Sequence, residues 1–294
     1  MRVGIIVPQG WVGEYDGWDA ARAWARTVAV AQQTEAEGFD SVWLFDHFQT
    51  FPEPTDEITF EAFVALSALA SLTSRVRLGH LVLCAGFRNP ALVAKMIATL
   101  DVVSGGRAEL GLGAGWKEDE WRAYGYGYPP LRERLGALED ALEIATHMLG
   151  PGRATHEGPF ARVHQAVNVP KGIQQPRVPI LVGGNGPNVT WRLAARFADE
   201  LNLDWKQPDQ VAEAMPVIAA RCEEIGRDPA TLPVSVNIGR VFTAKPGDAR
   251  VALLRAYADA GASRAMTFLS AAATSDEAVP SFAEDCRAAG LSLG

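Results

Sequence analysis

The residues best suited to chemistry sit at the ends of apolar runs. Asp46 and His47 close the run SVWLFDHF over residues 41–48. A histidine there can take or hold a proton at neutral pH beside a reacting group; the simpler alternative is a histidine tied to a neighbouring loop. Gly111, Gly113 and Gly115 alternate at the end of a second run, residues 107–112, and leave one backbone face without side chains where a flat ligand could approach. Trp116 follows directly, in the loop GAGWKEDEWRAYGYGYP, and is the aromatic closest to the strand, so it is a candidate wall for a heterocycle. Trp121 and Tyr124 are expected to staple that loop to its own helix. Gly183, Gly184, Asn185 and Gly186 separate a β-branched run from a helix, a place where free amides and a helix N-terminus favour an anion such as phosphate, although a plain tight turn needs the same residue types.

Other chemistries find no support. His156 and His164 have no carboxylate at ligand spacing, and HExxH, CxxC and GxSxG are absent, so neither a metal site nor a serine nucleophile is expected. Ser104 and Ser270 have no base beside them in sequence. Cys84, Cys222 and Cys286 are far apart, which argues against a disulfide framework and fits a reducing cytoplasmic setting. A net charge of −8 with scattered Lys and Arg argues against nucleic acid or an anionic membrane as a partner. The first ten residues read as a strand and a turn rather than a signal peptide. No run reaches the roughly 18 apolar residues of a membrane span.

Strands and helices must alternate to position these groups. Strands are predicted near 3–7, 41–45, 76–82, 107–112, 179–182, 199–203, 234–241 and 264–269; helices near 19–37, 60–73, 90–103, 131–149, 187–197, 208–225, 247–260 and 276–289. The helix after Asn89-Pro90 should use Leu92, Val93, Met96, Ile97 and Leu100 as its apolar positions. Eight strand–helix units in 294 residues predict a single-domain (β/α)8 TIM barrel over residues 1–294. A doubly wound open sheet is the competitor, but no GxGxxG follows the first strand. Residues 8–18 form a long first loop with two tryptophans. Residues 150–178, rich in Gly, Pro and His, are expected to be an insertion with a small hairpin partly covering the barrel mouth. Pro216 predicts a kink or a late start in its helix.

Together SVWLFDHF, the segment RVRLGHLVLCAGFRNPALVAKMIATLDVVSGGRAELGLGAGWKEDEWRAYG and PILVGGNGPNVTWRLAARFADELN resemble the luciferase-like monooxygenase superfamily, and most closely its branch that uses coenzyme F420, a deazaflavin. The resemblance implies hydride transfer between F420 and a small organic substrate, with Asp46 and His47 flanking the ring. It implies that Leu81, Val82 and Cys84 form a bulged strand end beneath the ring, with a non-proline cis peptide at Leu81–Val82. Gly113, Ala114, Gly115 and Trp116 would line the ring, and Gly183, Gly184, Asn185 and Gly186 would hold phosphate. Some F420 enzymes carry a glutamate where this chain has Trp116; Glu118 and Glu120 lie nearby and are expected to face away. The loop carrying Trp11 is expected to set substrate choice. Relatives are often homodimers. An FMN-dependent monooxygenase using reduced flavin and oxygen is the alternative activity, and a non-catalytic flavin-binding protein a second.

Overall fold

The computed structural model describes residues 1–238 and 245–294. In chain order the elements are β1 (Arg2–Ile6), α1 (Ala20–Ala36), β2 (Ser41–Leu44), α2 (Ala62–Leu72), β3 (Arg77–His80), β4 (Leu83–Cys84), α3 (Pro90–Val103), β5 (Ala108–Gly113), α4 (Glu118–Ala123), α5 (Leu131–Leu149), β6 (Ala154–Glu157), β7 (Arg162–Ala166), β8 (Ile180–Gly183), α6 (Thr190–Phe197), β9 (Glu200–Asp204), α7 (Pro208–Glu223), β10 (Val234–Asn237), α8 (Asp248–Asp259), β11 (Arg264–Phe268) and α9 (Ala278–Ala288). Of the seventh strand, expected over 234–241, residues 239–241 lie outside the described residues.

Helix starts follow their side chains. The Asp19 carboxylate accepts the amides of Ala21 and Arg22 (3.0 and 3.1 Å), and Asn89 does the same for Ala91 and Leu92 ahead of Pro90. Within α3 the buried stripe is Val93, Ala94, Ile97, Ala98 and Leu100; Leu92, expected in it, points outward. Two alanines beside the larger residues shift the stripe by one position. Helix α7 begins at Pro208 and runs through Pro216 without a late start.

The barrel strands lie in the order β3, β2, β1, β11, β10, β9, β8, β5, all parallel, and the β3–β5 pairing closes the ring. This is the (β/α)8 barrel read from the alternation. Trp43 fills the interior because Gly4 and Gly79 leave room for its indole on either side. At the N-terminal end, Arg264 is buried among Glu109, Glu200 and Asp40. Burial alone would raise the Glu109 carboxyl, but the adjacent Arg264 guanidinium overrides it and brings the group down to about 2. Charge matched at this end is architecture; ligand chemistry belongs at the other.

The insertion does not cover the mouth. It connects a helix to a strand, so it leaves from the N-terminal end of the barrel. Its hairpin, β6 against β7, lies along α5: Asp140 accepts the amides of Phe160 and Ala161 and bonds His156 Nε2 (3.0 Å). His156 is thereby a tie to α5. Asp101, buried on α3, accepts the amides of Ile173 and Gln174 where the chain returns.

Candidate active site

A cavity of about 730 Å³ opens at the C-terminal ends of the strands. All thirteen residues named from the sequence line it: Asp46 and His47; Leu81, Val82 and Cys84; the run from Gly113 to Trp116; and the run from Gly183 to Gly186. No residue of 150–178 does.

His47 sits three residues beyond β2. That strand end is pinned from the first loop: Gln9 accepts the Phe45 amide through Oε1 (2.7 Å) and donates to the Phe45 carbonyl (2.9 Å). The loop itself is built on Glu14, which accepts the amides of Gln9, Gly10 and Val12. Its Trp11 is buried and stacks flat on the His47 ring, 4.4 Å between centroids at 6°. Trp116 meets the same ring edge-on at 5.7 Å. The third contact was not foreseen. Glu120, expected to face away, is fully buried, and its Oε2 lies 2.8 Å from His47 Nδ1. Its Oε1 accepts the amides of Phe48 and Gln49 (3.0 and 3.1 Å). Residues 118–123 fold into the short helix α4, whose single turn swings Glu120 inward and leaves Glu118 outside with Arg122. With the carboxylate accepting at Nδ1, the neutral ring carries its hydrogen there and presents the Nε2 lone pair.

Asp46 is engaged on both oxygens. Arg88 binds it bidentately (2.8 and 2.8 Å), and the Cys84 amide donates to Oδ2 (2.8 Å). Arg88 also reaches Glu61 (2.6 Å). This clamp fastens the loop after β2 to the strand end at Leu81–Val82, whose peptide is cis. Asp46 therefore has no free oxygen for proton exchange; it holds the wall on which His47 stands. Cys84 packs with Phe87 and Trp121, and burial pushes its thiol up to about 12. His80, at the end of β3, is buried against Phe63, and burial together with the nearby Arg88 charge brings it down to about 3, so it is neutral.

The alternating glycines make room for protein before ligand. A Cβ on Gly111 would strike the His80 carbonyl, and one on Gly113 would lie 2.6 Å from Val82 Cγ2. The bulged strand end thus occupies the side-chain-free face, and Val82, seated between Gly113 and Gly183, becomes the surface offered to the cavity. Gly115 (φ +74°) backs onto Cys84 and Trp121.

Residues 183–190 form the next wall. Asn185 grips the Asp204 main chain, donating to its carbonyl (2.8 Å) and accepting from its amide (3.0 Å). Helix α6 has no side-chain cap, and no intramolecular acceptor faces the amides of Gly186, Asn188, Val189 and Thr190 among the described residues. Asp204 itself opens on the cavity. The enclosing walls raise its carboxyl above the ordinary range, while a 2.7 Å hydrogen bond from Asn237 Nδ2 to Oδ1 works the other way.

A profile of luciferase-like monooxygenases matches residues 1–290. The chain belongs to that family. Among curated relatives it is 36% identical over 222 residues to an F420-dependent glucose-6-phosphate dehydrogenase of Kineococcus radiotolerans, covering 74% of this chain and 64% of that protein. It is 35% identical over 183 residues to a protein of the same description from Microbacterium testaceum, covering 62% of this chain and 53% of the relative. The chain thus spans less than two thirds of the length of these family members. Among solved structures, an F420-dependent secondary alcohol dehydrogenase in complex with an F420-acetone adduct aligns over 98% of both chains with a TM-score of 0.82 and 18% identity. The monooxygenase RslO1 of Streptomyces bottropensis aligns over 98% of this chain and 99% of its own with a TM-score of 0.76 and 20% identity. At these identities the structural likeness is one of fold.

Proposed function

We propose that this luciferase-like protein is an F420-dependent oxidoreductase that moves a hydride between the deazaflavin and a small organic substrate. The observation that carries the reading is the His47–Glu120 pair: a ring with its Nδ1 fixed by a buried carboxylate, at the rim of a largely apolar cavity that also holds a loop whose amides have no acceptor among the described residues. F420-dependent descriptions among the curated relatives support the cofactor. The residues present fit it: Val82 and Leu81 offer an apolar platform for a planar ring, and the amides ahead of α6 offer neutral donors for a phosphate.

The bound deazaflavin would supply the hydride acceptor or donor. The protein's own work is then modest. In the oxidising direction His47 Nε2 would take the hydroxyl proton of an alcohol whose carbinol hydride the deazaflavin would accept, so that the imidazole becomes imidazolium. Glu120 stabilises that charge at Nδ1. Trp11, buried and stacked on His47, holds the imidazole plane, and Trp116 meets its edge. Asp46, through Arg88 and the Cys84 amide, holds the strand end that would carry the cofactor. In the reducing direction His47 returns the proton.

Solved FMN enzymes share the fold, one a Baeyer-Villiger monooxygenase in complex with FMN with a TM-score of 0.63. The test is therefore a paired fluorescence titration with F420 and FMN. Tight F420 and weak FMN binding is expected; tight binding of FMN alone would overturn the cofactor assignment.

A further inference from the structure

A second cavity, of about 360 Å³, shares Phe87 with the catalytic one. Its size falls at the lower end of the range for small-molecule sites, roughly 300–1,000 Å³. Three segments build it: the residues between β2 and α2, those between β4 and α3, and the end of α4 with the residues after it. A row of four rings forms its apolar lining. Tyr124 packs on Phe48 with centroids 4.5 Å apart, Phe48 on Phe87 at 4.7 Å, and Phe87 on Tyr126 at 5.1 Å. Gly125, at φ +80°, turns the chain so that the two tyrosines reach opposite ends of the row. Tyr124 and Tyr126 are nevertheless 54% and 41% exposed, so the row presents ring surface that a flat ligand would cover.

The polar lining is Thr59, Glu61 and Arg88. Arg88 gives Nη1 and Nη2 to Asp46 and Nη2 again to Glu61, which leaves its Nε–H to donate. Glu61 takes Arg88 on Oε1 (2.6 Å) and the Val64 amide on Oε2 (2.7 Å), and each oxygen keeps a second lone pair. Thr59 Oγ1 is buried with no hydrogen-bond partner among the described residues, a state that costs free energy until a partner arrives. A donor, an acceptor and a hydroxyl thus stand together beside an aromatic row. The group that answers all of them carries a carbonyl and an N–H in one plane and no charge. A carboxylate of the same shape matches Arg88 but meets Glu61, and an amidinium matches Glu61 but meets Arg88.

We propose that this cavity is a second binding site, for a planar aromatic carboxamide. Its carbonyl accepts from Arg88, its amide hydrogens go to Glu61 and Thr59, and its ring lies along the aromatic row. The site stands apart from the F420 assignment, because none of its three polar side chains lines the catalytic cavity. It is still next to the chemistry: the guanidinium that would hold the ligand is the one that clamps Asp46.

The test is a saturation-transfer NMR titration of the whole protein at pH 7.5 with benzamide, benzoate and benzamidine, which share one shape and differ in charge. Benzamide should bind about tenfold more tightly than either ion, as expected when a hydrogen bond to a charged group is exchanged for a like charge. Thr59→Val keeps the side chain's shape and removes the hydroxyl, so benzamide should weaken about three- to tenfold. Thr59→Ala is the second variant should the first fail to fold, and Tyr126→Ala, which shortens the aromatic row, should weaken benzamide as well. Trp205→Ala, in the catalytic cavity, should leave benzamide binding unchanged. Benzoate or benzamidine binding as tightly as benzamide would overturn the proposal. So would no measurable binding of benzamide, or an affinity that falls in Trp205→Ala and holds in the Thr59 variants. F420 affinity, measured separately, tests the cofactor assignment alone: a protein that fails to bind F420 yet shows this pattern with benzamide sinks that assignment and leaves the second site standing.

Discussion

Replacing Glu120 by glutamine preserves the side chain's shape and removes its charge, so it isolates what the carboxylate does for His47. The glutamine oxygen can still accept the amides of Phe48 and Gln49, which lie 3.0 and 3.1 Å from Oε1. The amide nitrogen then falls where Oε2 stood, 2.8 Å from His47 Nδ1. Two donors cannot face each other, so Nδ1 must become the acceptor and the ring hydrogen moves to Nε2. The lone pair that takes the substrate proton is lost from the cavity side, and the imidazolium formed during turnover loses its counter-charge. A hydrogen bond to a charged group is worth about 1.5–3 kcal/mol, which places the loss in kcat at about 10- to 150-fold. F420 affinity should stay within about twofold, because Glu120 touches the histidine and not the phosphate loop. Steady-state kinetics with F420 reports kcat, and fluorescence titration reports cofactor binding. Glu118→Gln, on the exposed side of the same helix, is the control and should be silent. A Glu120→Gln enzyme that binds F420 normally and keeps its full kcat would refute the reasoning.

Three further outcomes follow from the same structure. Asp46→Asn removes the charge facing Arg88 and one partner of a largely buried pair, so urea unfolding should show a loss of roughly 3–5 kcal/mol; a change under 0.5 kcal/mol would show that the clamp is not structural. Cys84, whose thiol burial pushes up to about 12, should not react with a disulfide reagent at pH 7.5 in the folded protein and should react on denaturation. Burial would raise the Glu35 carboxyl, but the amides of Arg75, Val76 and Ser74 together bring it down to about 2. A depressed carboxylate stabilises the fold above its unfolded value and loses that contribution as pH falls through the folded one. Glu35→Gln should therefore cost stability near neutral pH, about 1 kcal/mol after allowing for solvent screening. The difference from wild type should shrink between pH 4.5 and 2; a gap that is constant with pH would contradict the assignment.

The barrel was legible because the buried parallel strands are short apolar runs that alternate with helical patterns, and α1, α2 and α3 start on a side chain that caps them. The cavity-lining residues were legible for the same reason: in this architecture the ends of strands are the site. What the sequence concealed were contacts between elements far apart in the chain. Glu120 lies 73 residues from His47, and nothing local distinguishes it from Glu118; only the single turn of α4 decides which of the two turns inward. The first loop was expected to bear on substrate choice; its Trp11 lines the cavity and also lies flat on the His47 ring, a contact the sequence did not signal. The glycines at 111 and 113 signalled a close approach correctly, but the group that approaches is the strand end at Leu81–Val82. The insertion was placed at the mouth on composition, although its position between a helix and a strand assigns it to the other end of the barrel. Asp204 gave no signal at all, since a single aspartate at a strand end carries no motif; only the structure shows that it lines the cavity.

The central claim is that a hydride passes between a carbon of the substrate and F420 in this cavity. The direct measurement is isotope transfer: cyclohexanol deuterated at the carbinol carbon is incubated with the protein and oxidised F420, and the recovered cofactor is weighed by mass spectrometry. One deuterium is expected in the reduced cofactor, formed with the wild-type protein and strongly slowed in His47→Ala. Reduced F420 recovered without deuterium, or formed equally fast without His47, would contradict it.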